Sequence, residues 1–419
     1  MSSAKKIFTS FLPFWIFMTL YKFGGGLHYT LMAPYGERFL PVWLVGLLVG
    51  GVSFVQLLCD VPAGYLLDRF GYRRLLMVTT GIFMLAAFCI VHGLTLFTFL
   101  LTSAFSIFGW LFFGPGTSAY VLSHASEEDS GKFFSLRDTA GSVGIVLASI
   151  SLPLALSLPP ALVGWLLCAL LALALLSLAF SPADKEASKR APLIPTHHFY
   201  RRREQLAAIL KAVTRLNPAS GMLLLLSFVG AMFYGTVWFV VPLLIEQQQA
   251  HSGIMSLGLG VFDFSVVVLG YLFGVLADKT DRRALTFVGL LVFSIGGLLV
   301  GLNFSWLFLL FGFLATSGDE MASVSLWSWL HTLDREHAAD GTVSGVITLA
   351  EDFGWTVGPV VAGISYTLTG ATGAIIIGAL PILIVWLFYY AAVHKHFPRL
   401  SEFSGVIIPP KPHRRRHKS

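Results

Sequence analysis

Residues 64–74 read Gly64-Tyr-Leu-Leu-Asp68-Arg69-Phe-Gly71-Tyr-Arg73-Arg74. Long apolar runs lie on both sides. Asp68, Arg69, Arg73 and Arg74 are thus gathered into a short polar hairpin between two stretches that avoid water. A second copy reads Gly274-Val-Leu-Ala-Asp278-Lys279-Thr-Asp281-Arg282-Arg283. Gly64 and Gly274, like Asp68 and Asp278, stand 210 residues apart. One hairpin met twice in register, half a chain apart, marks a duplicated architecture. The same offset of 210 residues relates Gly131 to Gly341 and Gly144 to Gly354. Each glycine follows a charged loop, Glu127-Glu128-Asp129 in one half and Asp334-Arg335-Glu336 in the other.

Composition sets the class. Of 419 residues, 56% are hydrophobic and only 12% charged, with a mean hydropathy of +0.77. A soluble domain of this size has no interior large enough for that much apolar surface, so the chain reads as an all-α polytopic membrane protein. A span needs roughly 20 apolar residues to cross about 30 Å of hydrocarbon. The sequence divides into spans near 11–35, 40–67, 75–93, 95–123, 133–157, 160–181, 219–246, 253–277, 284–302, 304–330, 342–368 and 371–394. That predicts twelve helices: a six-helix bundle over 1–181, a basic linker over 182–218, a second six-helix bundle over 219–394, and a basic tail over 395–419. The first apolar run is long and lacks a small-residue cleavage site, so it reads as a true span.

Lys and Arg concentrate at the N-terminus, in the charged hairpins, in the middle segment and in the tail, with Lys22 and Arg38 standing apart. This asymmetry is the positive-inside pattern, and it places both termini in the cytoplasm of a plasma (inner) membrane protein. Part of the middle segment, 201–216, reads either as a basic helix lying on the anionic inner leaflet or as a solvated linker with topogenic charge. The +6 formal charge is therefore a matter of lipid and topology, not of nucleic acid. Cys59, Cys89 and Cys168 lie in apolar runs without metal-ligand spacing. No metal, cofactor or catalytic constellation is expected. No soluble stretch is long enough for a nucleotide-binding domain.

The hairpin resembles the loop 2–3 signature of the major facilitator superfamily, matching at Gly64, Asp68, Arg69, Gly71, Arg73 and Arg74. The second copy resembles that family's loop 8–9 through Asp278, Arg282 and Arg283, but has Asp281 where the pattern has Gly, so a different turn is expected there. The resemblance implies two six-helix halves around a central cavity, with substrate near the midplane. It also implies that Asp68, Arg69, Arg73 and Arg74 brace the cytoplasmic gate. Because helices 1, 4, 7 and 10 line the cavity in that family, Lys22, His28, Trp110, Tyr234, Trp238, Asp319 and Trp327 become candidate lining residues.

Ionisable groups inside a bilayer are costly and default to functional candidates. Asp319 and Glu320 lie in the middle of the tenth span, and Asp263 is deep in the eighth. Glu351 and Asp352 lie about ten residues into the eleventh, roughly 15 Å along a helix axis. Adjacent acids point about 100° apart, so only one of each pair need face a cavity. A carboxylic acid shielded from water holds its proton more readily, which is the requirement for proton coupling. Lys22 argues for a substrate carboxylate or phosphate, or else neutralises one of the buried acids. Asp60 reads as part of the inner brace, Arg137-Asp138 as an internal pair at a gate, and His28 as a satisfied interior histidine.

Gly354-x-x-x-Gly358-Pro359-x-x-x-Gly363 forms a small-residue stripe for close helix packing, and Pro359 removes a backbone donor. It resembles the Gly-Pro motif of family antiporters, but sits in the eleventh span instead of the fifth. The fourth span also lacks the intramembrane Arg of proton-coupled drug exporters, which weakens the antiporter inference. The leading expectation is a monomeric secondary transporter exporting small amphipathic compounds against protons. The alternatives are uptake of an organic anion or nutrient through Lys22, and a non-transporting receptor or scaffold.

Overall fold

A computed structural model describes residues 9, 11–124, 130–183, 218–247, 252–302, 306–333 and 341–396. The linker and tail expected from the sequence lie almost wholly outside the described residues. The helices are α1 (Leu12–Glu37), α2 (Val42–Phe70), α3 (Tyr72–Val91), α4 (Leu96–Leu111), α5 (Phe113–His124), α6 (Ser130–Ser157) and α7 (Pro160–Ala179). The second half holds α8 (Pro218–Gln247), α9 (Ser252–Lys279), α10 (Arg282–Leu302), α11 (Trp306–Leu333) and α12 (Gly341–His396).

Among the described residues, nine segments are long and apolar enough to cross a membrane. One of them, Leu349–Ala391, runs for 43 residues, about twice the length of one crossing. It bends at Gly370, whose φ of 72° is open to glycine and strained for other residues. α1 and α9 have spanning length, 26 and 28 residues, but fall outside the nine. Lys22 and His28 dilute the apolar character of α1. Counted with these, the fold is consistent with twelve passes.

The fourth span differs from the single helix expected over 95–123. It breaks at Phe112 into α4 and α5. Gly114-Pro115-Gly116 follows directly, and Pro115 has no N–H with which to continue the helical ladder. The start of α4 is fixed by a reciprocal cap. The Thr98 N–H donates to Thr95 Oγ1 at 3.2 Å, and the Thr95 N–H donates to Thr98 Oγ1 at 2.8 Å.

The two hairpins turn by different means. Gly71 joins α2 to α3 at φ 90°. In the second copy the Arg283 N–H donates to Asp281 Oδ1 at 2.8 Å, so Asp281 caps α10 from just before its first residue. The repeat extends into packing. A Cβ on Gly144 would meet α1 at Lys22 Cβ, 2.9 Å, and Phe23 N, 2.9 Å; one on Gly354 would meet α8 at Ala231 Cβ, 2.7 Å, and Met232 N, 2.9 Å. Equivalent glycines thus press the first helix of each half against the fifth.

The two halves meet in the part of the molecule distal to the chain termini. Gly46 and Gly50 of α2 lie against the backbone carbonyls of Pro359 and Thr356, and Gly363 of α12 approaches the Val42 carbonyl. The Ser256 hydroxyl donates to the Ser149 carbonyl, joining α9 to α6.

Candidate functional site

Lys22 projects from α1 between two aromatic rings. Its Nζ stands 5.1 Å from the Trp110 ring centroid and 5.3 Å from that of Phe113. These rings flank the break between α4 and α5, so the Gly-Pro-Gly segment shapes the shelf on which the cation rests. Tyr21 holds the shelf in place. It stacks on Phe113 at 4.4 Å, and its hydroxyl donates to the Gly109 carbonyl.

Across the seam, the Tyr234 hydroxyl of α8 donates to Asp319 Oδ2 of α11 at 2.9 Å. Tyr234 is itself wedged against Phe262 and Phe293. The space at Gly230 also belongs to Asp319, whose Oδ1 is 3.4 Å from where a Cβ would stand. Glu320 diverges from its neighbour, its Oε1 lying 3.2 Å from the Cβ position of Gly270 on α9. The helical angle between adjacent residues separates the two acids as expected.

The charges of the two halves feel one another. Glu351 lies within electrostatic reach of Lys22, Asp352 and Asp319, and Glu320 within reach of Asp138. Lys22 and Glu351 thereby link the first span to the eleventh. Lys22 of the first half thus lies within electrostatic reach of Glu351 of the second, and the hydrogen-bonded Tyr234–Asp319 pair lies within reach of Glu351 inside the second half.

The other candidates are placed as follows. His28 is buried against Phe83, ring centroids 5.1 Å apart, but its Nε2 has no hydrogen-bond partner among the described residues, so the satisfied interior histidine expected from the sequence is not what is found. Trp238 is buried within the apolar core, and Trp327 is half-buried against it. Gly354 and Gly358 pack on α8, whereas Gly363, close to α2, belongs to the contact between halves. Arg137 pairs with Asp138 at 2.6 Å and donates to Ser118 Oγ at 2.5 Å. Of Gly64, Asp68, Asp263 and Asp278 the structure describes the helical backbone alone.

The hairpin cations are engaged within their own halves. Arg73 Nε donates to the Leu178 carbonyl at 3.1 Å, and its Nη2 donates to the Ala179 carbonyl. A guanidinium there satisfies the open carbonyl end of α7. Arg69 lies exposed, 5.4 Å from the Phe70 ring centroid, and Arg74 is also exposed. Arg282 donates to the Ala277 carbonyl at 3.3 Å, and the Arg283 carbonyl accepts from Tyr389 at 3.1 Å.

A cluster that sequence reading missed closes the opposite face. Arg38 Nη2 pairs with Glu246 Oε1 at 2.7 Å, joining the end of α1 to the end of α8. Gln247 Nε2 donates to Glu37 Oε1 at 3.0 Å, and its Oε1 accepts from the Tyr366 hydroxyl at 2.8 Å. Arg38 also covers the Tyr35 ring at 5.2 Å.

Long apolar spans packed around buried polar side chains are the build of a multi-pass membrane protein. The Major Facilitator Superfamily description matches residues 7–359, and the chain belongs to that family. It is a multi-pass secondary transporter and not an enzyme. A search of curated proteins finds no match. Solved structures with the same fold include the human organic anion transporter MFSD10 (TETRAN), with 17% identity, a TM-score of 0.66, and coverage of 93% of this chain and 100% of that one. The nucleoside transporter NupG aligns with a TM-score of 0.70 at 13% identity, covering 91% of this chain and 97% of that one. A structure described under proton dependent oligopeptide transporters gives a TM-score of 0.70 at 14% identity, covering 93% of this chain and 100% of that one. At such identities the likeness is one of fold.

Proposed function

We propose that this chain couples protons to the export of small amphipathic compounds, with Asp319 as the proton carrier and the Lys22–Trp110–Phe113 shelf as part of the substrate site. The observation that carries this reading is the Tyr234–Asp319 hydrogen bond at 2.9 Å, which ties a carboxyl of one span to a hydroxyl of another inside the protein. A carboxyl that exchanges one partner for a proton and another for substrate meets the chemical requirement for coupling. The rings beside Lys22 suit a substrate with a flat apolar part and a charge.

Transport proceeds by rocking of the halves about this group. On the reading that both termini are cytoplasmic, the Arg38–Glu246 face is external, and its contacts favour a state closed to the outside. The hairpin brace is needed in the opposite state, when the cytoplasmic side closes. One chain holds both halves of the site, so a monomer suffices. The charge of the segments 182–218 and 395–419 suits the cytoplasmic side, with 201–216 either on the anionic inner leaflet or part of a solvated linker.

Lys22 favours a second reading, uptake of an organic anion. The two readings separate in reconstituted vesicles. Lys22→Ala abolishes anion uptake under the second and largely spares movement of a cationic dye under the first. An Asp319→Asn protein that retains full gradient-driven flux would overturn the proton assignment under either reading.

A further inference from the structure

The chain leaving α7 is held more firmly than a helix end requires. Arg73 already covers the open carbonyls of Leu178 and Ala179. The carbonyls of Pro182 and Ala183 lie beyond that cap, and α5 takes them. The Tyr120 hydroxyl donates to the Pro182 carbonyl at 2.7 Å. His124 Nε2 faces the Ala183 carbonyl at 3.0 Å; a carbonyl can only accept, so this nitrogen carries the hydrogen. Water would serve both carbonyls if the chain merely left the bundle here. Tyr120 and His124 share one stripe of α5 with Phe113, which stands 7 and 11 residues before them. Along that stripe α5 rests on rings at the start of the chain and on the first span. Phe113 stacks on Tyr21 at 4.4 Å, Tyr120 on Phe14 at 4.5 Å, and His124 meets Phe11 edge to face at 5.3 Å.

We infer that α5 couples the Lys22 shelf to the exit of the linker between the halves, with Tyr120 and His124 as a clasp on that exit. This rests on the reading above of the shelf as part of the substrate site. One face of a single 12-residue helix carries both ends of the coupling, about 16 Å apart along its axis. Phe113 is the ring under Lys22 at one end, and His124 holds the departing chain at the other. The break at Phe112 separates α5 from α4, so α5 moves as a unit of its own along the first span. When Lys22 turns from the shelf toward a negative group on a substrate, the Phe113 ring loses the cation above it. The packed stripe passes that loss to the clasp. The clasp fixes the point from which the connection to α8 starts. Its release moves that point, so the segment tying one half to the other responds to what the shelf holds.

The test is the mobility of a spin label on the full chain in lipid nanodiscs, without substrate. Cys59→Ser, Cys89→Ser and Cys168→Ser remove the native thiols. The label sits at Ala183→Cys, an exposed position whose carbonyl is in the clasp. Tyr120→Phe keeps the ring on Phe14 and loses only the hydroxyl, and His124→Ala removes the imidazole. Each is expected to raise the mobile fraction of the label about two- to tenfold, the range for one net hydrogen bond. Lys22→Met and Phe113→Leu, at the other end of α5, are expected to raise it about twofold or more, as for coupling through packed side chains. Thr19→Val cuts a hydrogen bond from the same span to α6 and is expected to leave the label unchanged. If neither Tyr120→Phe nor His124→Ala mobilises the label, the clasp is overturned. A label that responds to them but not to Lys22→Met or Phe113→Leu, or that responds as strongly to Thr19→Val, overturns the coupling. Should Phe113→Leu not purify as a monodisperse species, Lys22→Met alone decides. Because no substrate enters, failure of the coupling is distinguishable from failure of the substrate-site assignment, which is read by flux.

Discussion

Asp319 accepts a hydrogen bond from Tyr234, and the two residues come from different spans, 85 positions apart. Sequence reading singled out both, one as an intramembrane acid and the other as an aromatic on a cavity helix. It had no means of pairing them, because packing of α8 on α11 is a tertiary fact. The same reading left open which of Asp319 and Glu320 faces the seam. The glycines opposite them show that the two acids diverge, Asp319 toward Gly230 of α8 and Glu320 toward Gly270 of α9. A hydrogen bond to a charged group is worth about 1.5–3 kcal/mol. Tyr234→Phe is therefore expected to lower gradient-driven flux by about tenfold or more, read as initial rates in vesicles, with protein yield unchanged. A similar argument applies to Lys22. Lys22→Ala removes a cation held against two rings, and the loss is expected to be selective for substrates that carry a negative group.

At the scale of helices, the charged hairpins and the small-residue stripes were legible, because their spacing is itself the signal. The departure at Asp281 was also legible as a different turn, although its form was not: the residue acts as a helix cap in place of a glycine bend. Asp281→Ala should cost about 1 kcal/mol of stability, the usual worth of such a cap, as measured by thermal unfolding in detergent. The break at Phe112 was not legible as a break. A Gly-Pro-Gly run inside an apolar span signals flexibility, but only packing determines whether the helix bends or stops. Gly358 lies against the Met232 carbonyl and Gly235 Cα, where a Cβ would stand at 2.5 and 3.0 Å. Gly358→Leu is expected to destabilise the second half by about 1–3 kcal/mol or more through overpacking, while Gly221→Leu, which meets no neighbour within 4 Å, should be neutral in the same assay.

At the scale of the whole molecule, the two-half architecture was readable from one repeated hairpin, but the cluster that closes the distal face was not. Arg38 stands apart in the charge pattern, but Glu37, Glu246 and Gln247 sit at span ends, where polar residues are ordinary and nothing in the sequence pairs them with it. The signal that marks them is the 210-residue offset between Glu37 and Gln247, informative only once the two are known to touch. The hairpin at the other face carries its own expectation. Asp68→Asn should reduce transport without preventing membrane insertion, since the brace is needed only in the state that closes the cytoplasmic side. The central claim, that a seam carboxyl couples protons to substrate movement, meets its most direct test in vesicles holding the purified protein under an imposed pH gradient, with a mixed panel of metabolites and dyes. The account predicts gradient-driven flux that disappears in Asp319→Asn or Glu351→Gln. Flux indifferent to the gradient, with those variants as active as the native chain, would contradict it and leave the acids as structural or substrate-binding groups of a facilitator.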